Sequence, residues 1–190
     1  MGLFNRTSYA GSNQRQMLEK TIKSSRNNLL LLLSFTIFNL ILLVAKTQKY
    51  FLFTAFVPYT LVDAGMCYGG MYPPAYYGES LAGMNFLGKG FFYEMLAFAA
   101  LSLTMYALCW WFSKKKPKFW LTFALVMIIV DTVFQILMLG IGANLLVEYL
   151  FRGWIIVSLV TSLSAAKELK NLPAEEDLEA AELEALPTEE

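Results

Sequence analysis

At 190 residues, 57% hydrophobic, 15% aromatic and only 16% charged, the chain is too apolar for a soluble domain of its size. Fifteen basic residues cancel fifteen acidic ones, and the absence of histidine excludes zinc-hydrolase motifs, Ser-His or Cys-His nucleophiles and imidazole-ligated haem. The zero net charge hides a segregation, with cations gathered near the start and acids at the end.

Residues 1–28 form a basic arm, with Arg6, Arg15, Lys20, Lys23 and Arg26 against Glu19. Its Met-Gly start is not a myristoylation signal, because Arg6 stands where that motif needs Ser or Thr. Asn13–Asn28 has helix formers at helical spacing and is expected to extend the first span inward. That span is Leu29–Ala45. It is short against the ~20 apolar residues needed to cross a core of roughly 30 Å. Lys46 can snorkel outward and Asn27–Asn28 can lie among headgroups, which makes up the length. Lys-Thr-Gln-Lys follows instead of a small-residue cleavage site, so the segment reads as an uncleaved signal-anchor.

Residues 46–90 form an outer loop containing one more apolar stretch, Phe51–Met66. It is short for a span and carries Pro58 and Asp63. A fifth crossing would also carry the Lys114–Lys118 cluster to the outer side. The expected form is an interfacial or re-entrant helix, broken at Pro58. Cys67–Gly78 is rich in tyrosine and turns and belongs at headgroup level. Gly65 and Gly69 have GxxxG spacing, but their flanks are not a clean apolar 20-mer, so helix packing there is not expected. Met66, Met71 and Met84 read as apolar packing, since neither histidine nor a paired cysteine accompanies them. Cys67 and Cys109 lie toward opposite ends of the bilayer and are expected to be free thiols.

Phe91–Ser113, Phe119–Leu139 and Leu145–Ala166 complete a set of four spans. The second and third are joined by Lys114-Lys-Lys-Pro-Lys118, flanked by Trp110, Trp111 and Trp120 as an interfacial belt. Cytoplasmic loops collect Lys and Arg, so this turn and the basic arm are expected inside a plasma membrane, with both termini cytoplasmic. Residues 167–190 carry nine acids against Lys167 and Lys170. Within them Ala174–Leu186 reads either as a solvated tail or as a docking helix opened by Pro173. The fold class is therefore all-α, a four-transmembrane-helix bundle with an outer interfacial or re-entrant segment.

Counting depth from the outer helix ends places Asp131 about 12 Å down the third span, Arg152 about 10 Å down the fourth and Asn39 about 9 Å down the first. Gly140-Ile-Gly-Ala-Asn144 makes the third and fourth spans antiparallel neighbours, so an Asp131–Arg152 ion pair is geometrically natural. An unpaired charge at mid-helix costs ~2.5–3.5 kcal/mol, and pairing, with Asn39 or Gln135 completing the hydrogen bonds, is the cheapest way to keep both. Gln135 and Glu148 lie one turn above Asp131 and Arg152, and Glu94 on the second span reaches a depth similar to Glu148. All four helices can thus supply a polar group to the outer half, while the inner half reads as lipid-compatible. These six residues are the candidate site. Either the pair fixes helix register, with Glu94 and Glu148 bathed by headgroup water, or the group lines an outward-open cavity lidded by the tyrosine-rich loop.

No catalytic residues, cofactor or metal are expected. The leading expectation is a non-enzymatic accessory or small-ligand-binding membrane component. The alternative is a small transporter or channel subunit with a charged pathway, which at four spans implies oligomerisation. An intramembrane enzyme ranks lowest, since the Tyr-Asp and Gly-x-Gly-Asp patterns of aspartyl proteases are absent around Asp63 and Asp131. Expected partners are the lipid bilayer and a second copy or another membrane-complex component, with no nucleic acid. The pattern Tyr50-Phe-Leu-Phe-Thr-Ala-Phe-Val-Pro-Tyr59, with Gly65-Met66, Met71-Tyr-Pro73 and Leu108-Cys-Trp-Trp-Phe-Ser-Lys114, resembles an uncharacterised group of small multi-span membrane proteins from Gram-positive bacteria. The resemblance covers residues 29–165 and implies a bacterial plasma-membrane location and no particular activity.

Overall fold

A chain segment surrounded by lipid must pair its own backbone groups, and the apolar runs here do so as helices. The computed structural model describes residues 3–47, 53–77, 85–142 and 145–172. Its elements are α1 (Leu3–Val44), α2 (Phe56–Tyr68), α3 (Pro74–Tyr77), α4 (Lys89–Phe112), α5 (Pro117–Leu139) and α6 (Leu146–Asn171). Within α1, α4, α5 and α6 lie four segments long and apolar enough to cross a membrane. No strand occurs among the described residues. The protein is an all-α, multi-pass membrane protein. Residues 167–171 of the acidic tail continue α6 beyond its expected end at Ala166, whereas residues 173–190, with the Ala174–Leu186 stretch read as a solvated tail or a docking helix, and Met84 lie outside the described residues.

Helix ends follow from local chemistry. Lys46 closes α1 with φ 56°, its N–H donating to Leu43 O (2.9 Å) while Thr47 N donates to Leu42 O (3.0 Å). This is a Schellman closure, with lysine in the left-handed position usually held by glycine. Pro117 ends the run before it and opens α5, because the residue preceding proline is driven out of the helical region. Gly140, at φ 72°, terminates α5. The Lys114–Lys118 turn marks the basic end of the bundle; α1 finishes and α4 starts at the opposite, loop end.

The first span is longer than its sequence limits. At 42 residues and about 1.5 Å per residue, α1 is roughly 63 Å long, far beyond a hydrocarbon core. The extension is not bare. Ser25 Oγ donates to Ser158 O (2.7 Å), Ser162 Oγ to Ser25 Oγ (2.5 Å) and Asn28 Nδ2 to Ser158 Oγ (2.8 Å). Small hydroxyl residues let α1 and α6 approach closely and hydrogen-bond across the seam. Arg26 reaches α4 as well, donating to Ser113 Oγ (2.9 Å) and Trp110 O (3.2 Å), where a cation suits a helix C-terminus. The half of the bundle read as purely lipid-compatible therefore contains a polar seam, invisible to depth counting because serines are short and weakly polar.

Two apolar clusters fill the bundle. One is centred on Leu29, Leu121, Ala124, Ile155 and Leu159, the other on Leu40, Val62, Met66, Phe92 and Ala99. The second joins α2 to α1 and α4. Here Gly65 and Gly69 meet α4, contrary to the sequence reading. A Cβ on Gly65 would lie 2.8 Å from Met95 Cβ and 3.4 Å from Phe92 Cα. The spacing works without an apolar 20-mer because α2 needs only its own short length of contact. Cys67 and Cys109 are both free thiols. We predict that Gly65→Val lowers stability in detergent by about 1–3 kcal/mol, measured by thermal or denaturant unfolding. Gly90→Ala, whose Cβ would meet nothing within 4 Å, should be neutral by the same measurement.

Candidate functional site

The site is built where α2 begins. Thr47 sits at the loop end beside Leu42, yet Thr54 and Ala55 contact Asn39 and Thr36 on α1. Thr36 is eight residues before Val44, about 12 Å deeper. The chain then climbs back as α2, and Leu87 N donates to Tyr68 O (2.9 Å) at the loop end. The segment is re-entrant. Its turning point is Phe53 at φ 81°, held between Phe35 and Phe151 with ring centroids 5.9 and 4.0 Å away. A left-handed phenylalanine is strained and persists only where packing enforces it.

A helix that starts inside a bundle exposes amide donors with no partner on its own chain. Each of the first four positions here is provided for. Ala55 N donates to Thr36 Oγ1 (2.9 Å), Phe56 N to Asp131 Oδ2 (2.9 Å) and Val57 N to Asp131 Oδ1 (2.8 Å). The fourth is Pro58, which has no N–H. Proline therefore does not break this segment as expected; in the first turn it removes a donor that would otherwise be orphaned. The N-cap residue, Ala55, supplies no side-chain cap. The cap is a carboxylate delivered from α5, and its charge also suits the positive end of the helix dipole.

Arg152 on α6 completes the hub. Its Nη1 donates to Asp131 Oδ2 (2.5 Å) and its Nη2 to Thr54 O (2.7 Å). Asp131 is 3% and Arg152 4% exposed. The ion pair that depth counting sets across the α5–α6 hairpin is made, but its remaining hydrogen bonds go to the backbone of residues 54–57 and, at 3.5 Å, to Thr132 Oγ1, rather than to Asn39 or Gln135. Backbone amides at a helix start are the stronger claimants, because nothing else reaches them.

The other candidates fall into three places. Asn39 Nδ2 donates to Thr54 Oγ1, so it steadies the turn beside the hub. Gln135 Nε2 donates to Glu148 Oε2 (2.5 Å), forming a second buried contact between α5 and α6. Glu148 is 4% exposed, so headgroup water does not bathe it as one of the two sequence alternatives has it. Glu94 is exposed on α4 and does not join the group. The inward face of α4 carries Phe92, Ala99, Tyr106 and Cys109, and Glu94 falls between these positions. Three long helices and the re-entrant turn, not four long helices, supply the polar groups.

Sequence reasoning missed Thr36, Thr54 and the amides of Phe56 and Val57. Pro58, directly after the apolar pair Phe56-Val57, was the available signal for a helix start. The tyrosine-rich stretch forms a cover over the far end of α2. Tyr77 Oη donates to Cys67 O (3.1 Å), and Tyr72 and Tyr76 stack at 4.1 Å. Tyr72 Oη donates to Asp63 Oδ1 (2.5 Å), which gives that acid a partner. Burial, and then this hydrogen bond, raise the Tyr72 phenol above its ordinary range, so it stays a donor at physiological pH.

Comparison with protein-family models, with curated proteins and with solved structures finds no match to this chain. We predict that Asp131→Asn destabilises the protein by about 3–5 kcal/mol, since it leaves a buried guanidinium without its anion. Arg152→Gln should cost a similar amount. In a double-mutant cycle read by denaturant unfolding, the double variant should recover the charge penalty but not the lost capping.

Proposed function

We propose that this chain is a non-enzymatic accessory or small-ligand-binding component of a membrane, in which the buried charges hold a re-entrant helix in place and do not form a conduction path. One observation carries this reading: both carboxylate oxygens of Asp131 and both terminal nitrogens of Arg152 are engaged with each other and with the backbone of residues 54–57. In transporters the N-terminus of a half-helix is free to receive an anionic substrate. Here that position is filled by the protein's own carboxylate. The clustering of lysines at the Lys114–Lys118 turn supports a cytoplasmic basic end with both termini on that side. The resemblance to small Gram-positive membrane proteins supports a bacterial plasma membrane. A second copy or another membrane protein is the partner class this role requires.

A second reading, a transporter or channel subunit, draws on Gln135. Its Oε1 is buried with no hydrogen-bond partner among the described residues, on the same amide that donates to Glu148. An acceptor oxygen beside a carboxylate suits a small cation or an N–H-bearing ligand. The two readings separate in sealed proteoliposomes containing the purified chain. The accessory role predicts no sodium or potassium flux above empty vesicles; flux that Glu148→Gln abolishes would establish the transporter reading instead. Affinity purification from native membranes should retain a stoichiometric second polypeptide or a second copy. On a Cys67→Ala background, Tyr76→Cys should label from outside sealed cells with an impermeant maleimide, and Lys115→Cys should not.

A further inference from the structure

We infer that the groove between the basic ends of α5 and α6 is a binding site for one anionic phospholipid. The groove has a volume of about 800 Å³ and opens on the lipid-facing surface of the bundle. Its rim carries Lys116 and Lys118 from the start of α5 and Lys167 and Lys170 from the end of α6. Its walls are Phe119, Phe123 and Val126 on one side and Ala166 and Leu169 on the other. Along α5 charge gives way to apolar surface with depth, while on α6 Lys167 and Lys170 flank Leu169 above Ala166. From Lys118 to Val126 is eight residues, about 12 Å of descent from headgroup level into the acyl layer. This is the profile of a phospholipid, whose phosphate meets the rim and whose chain follows the wall.

The sign of the ligand follows from the rim. None of the four lysines forms an ion pair among the described residues, and Glu168, between Lys167 and Lys170 in sequence, pairs with neither. Four ammonium groups converging on one opening repel one another, and a phosphate diester relieves that repulsion. The competing occupant is the chain's own acidic tail, since residues 173–190 follow closely on Asn171, which lines the groove, and hold eight acids. A carboxylate-rich segment would have to desolvate to follow the apolar wall, which an acyl chain does at no such cost. The groove matches the lipid better. This inference does not depend on the role assigned to Asp131 and Arg152.

The test uses the full chain in phosphatidylcholine vesicles carrying a trace of phosphatidylglycerol with a photoreactive acyl chain. Cross-links should map to Phe119–Val126 and Ala166–Leu169. Unlabelled phosphatidylglycerol should displace them at least about tenfold more effectively than added phosphatidylcholine. The quadruple variant Lys116→Gln, Lys118→Gln, Lys167→Gln and Lys170→Gln should lose that preference. The Lys114→Gln, Lys115→Gln pair, which keeps the turn but spares the groove, should retain it. Val126→Trp, which fills the wall without changing charge, should reduce labelling. Three results would overturn the proposal: equal displacement by both lipids, displacement by inorganic phosphate alone, or zero-length carbodiimide cross-links joining Lys167 or Lys170 to acids of residues 173–190 in place of lipid labelling.

Discussion

A helix cannot begin inside an apolar bundle unless something accepts hydrogen bonds from its first amides. Water does this at a membrane surface and is excluded at the depth where α2 starts. The hub around the start of α2 follows from that requirement. Asp131 supplies two acceptor oxygens, Thr36 supplies a third and Pro58 removes the need for another. A carboxylate in such a place demands a cation, and Arg152 provides it while also binding Thr54 O. The guanidinium fork suits this double role, because one planar group can face a carboxylate and a carbonyl at once.

The arrangement couples elements far apart in sequence. The capping contacts join residues 56 and 57 to 131, and 54 to 152, so α5, α6 and the re-entrant turn form one unit. Thr36 and Asn39 tie that unit to α1, and the close approach at Gly65 fastens the rising part of α2 to α4. At the basic end the fastening differs in kind: serine contacts between α1 and α6, and Arg26 on Trp110 O and Ser113 Oγ at the end of α4. The serine contacts are neutral and need no counter-ion, and the Arg26 charge suits a depth where headgroups begin. The two ends thus carry separate polar systems with an apolar core between them.

Much of this was legible in the sequence. Long apolar runs fixed the number of spans, and equal depth on neighbouring helices brought Asp131 and Arg152 together. The re-entrant alternative for Phe51–Met66 followed from its length, Pro58 and Asp63. What could not be read was the backbone's share of the site. A depth count tracks side chains on regular helices, whereas the partners of Asp131 include amides placed by an irregular turn at Phe53. The same limit explains Glu94. Its depth matched that of Glu148, but depth says nothing about which way a side chain faces, and α4 turns it away from the bundle. Glu148 shows the converse, since its buried position depends on Gln135 across the hairpin.

The central claim is that the carboxylate of Asp131 caps the re-entrant helix. Amide hydrogen exchange at Phe56 and Val57 tests it most directly, comparing the native chain with the charge-neutral Asp131→Ala, Arg152→Ala double variant, in which no buried charge is left unpaired. The account predicts that protection at these two amides collapses while the amides of Ile128 and Leu159 in the neighbouring core stay protected. Unchanged protection at Phe56 and Val57 in a folded double variant would contradict it.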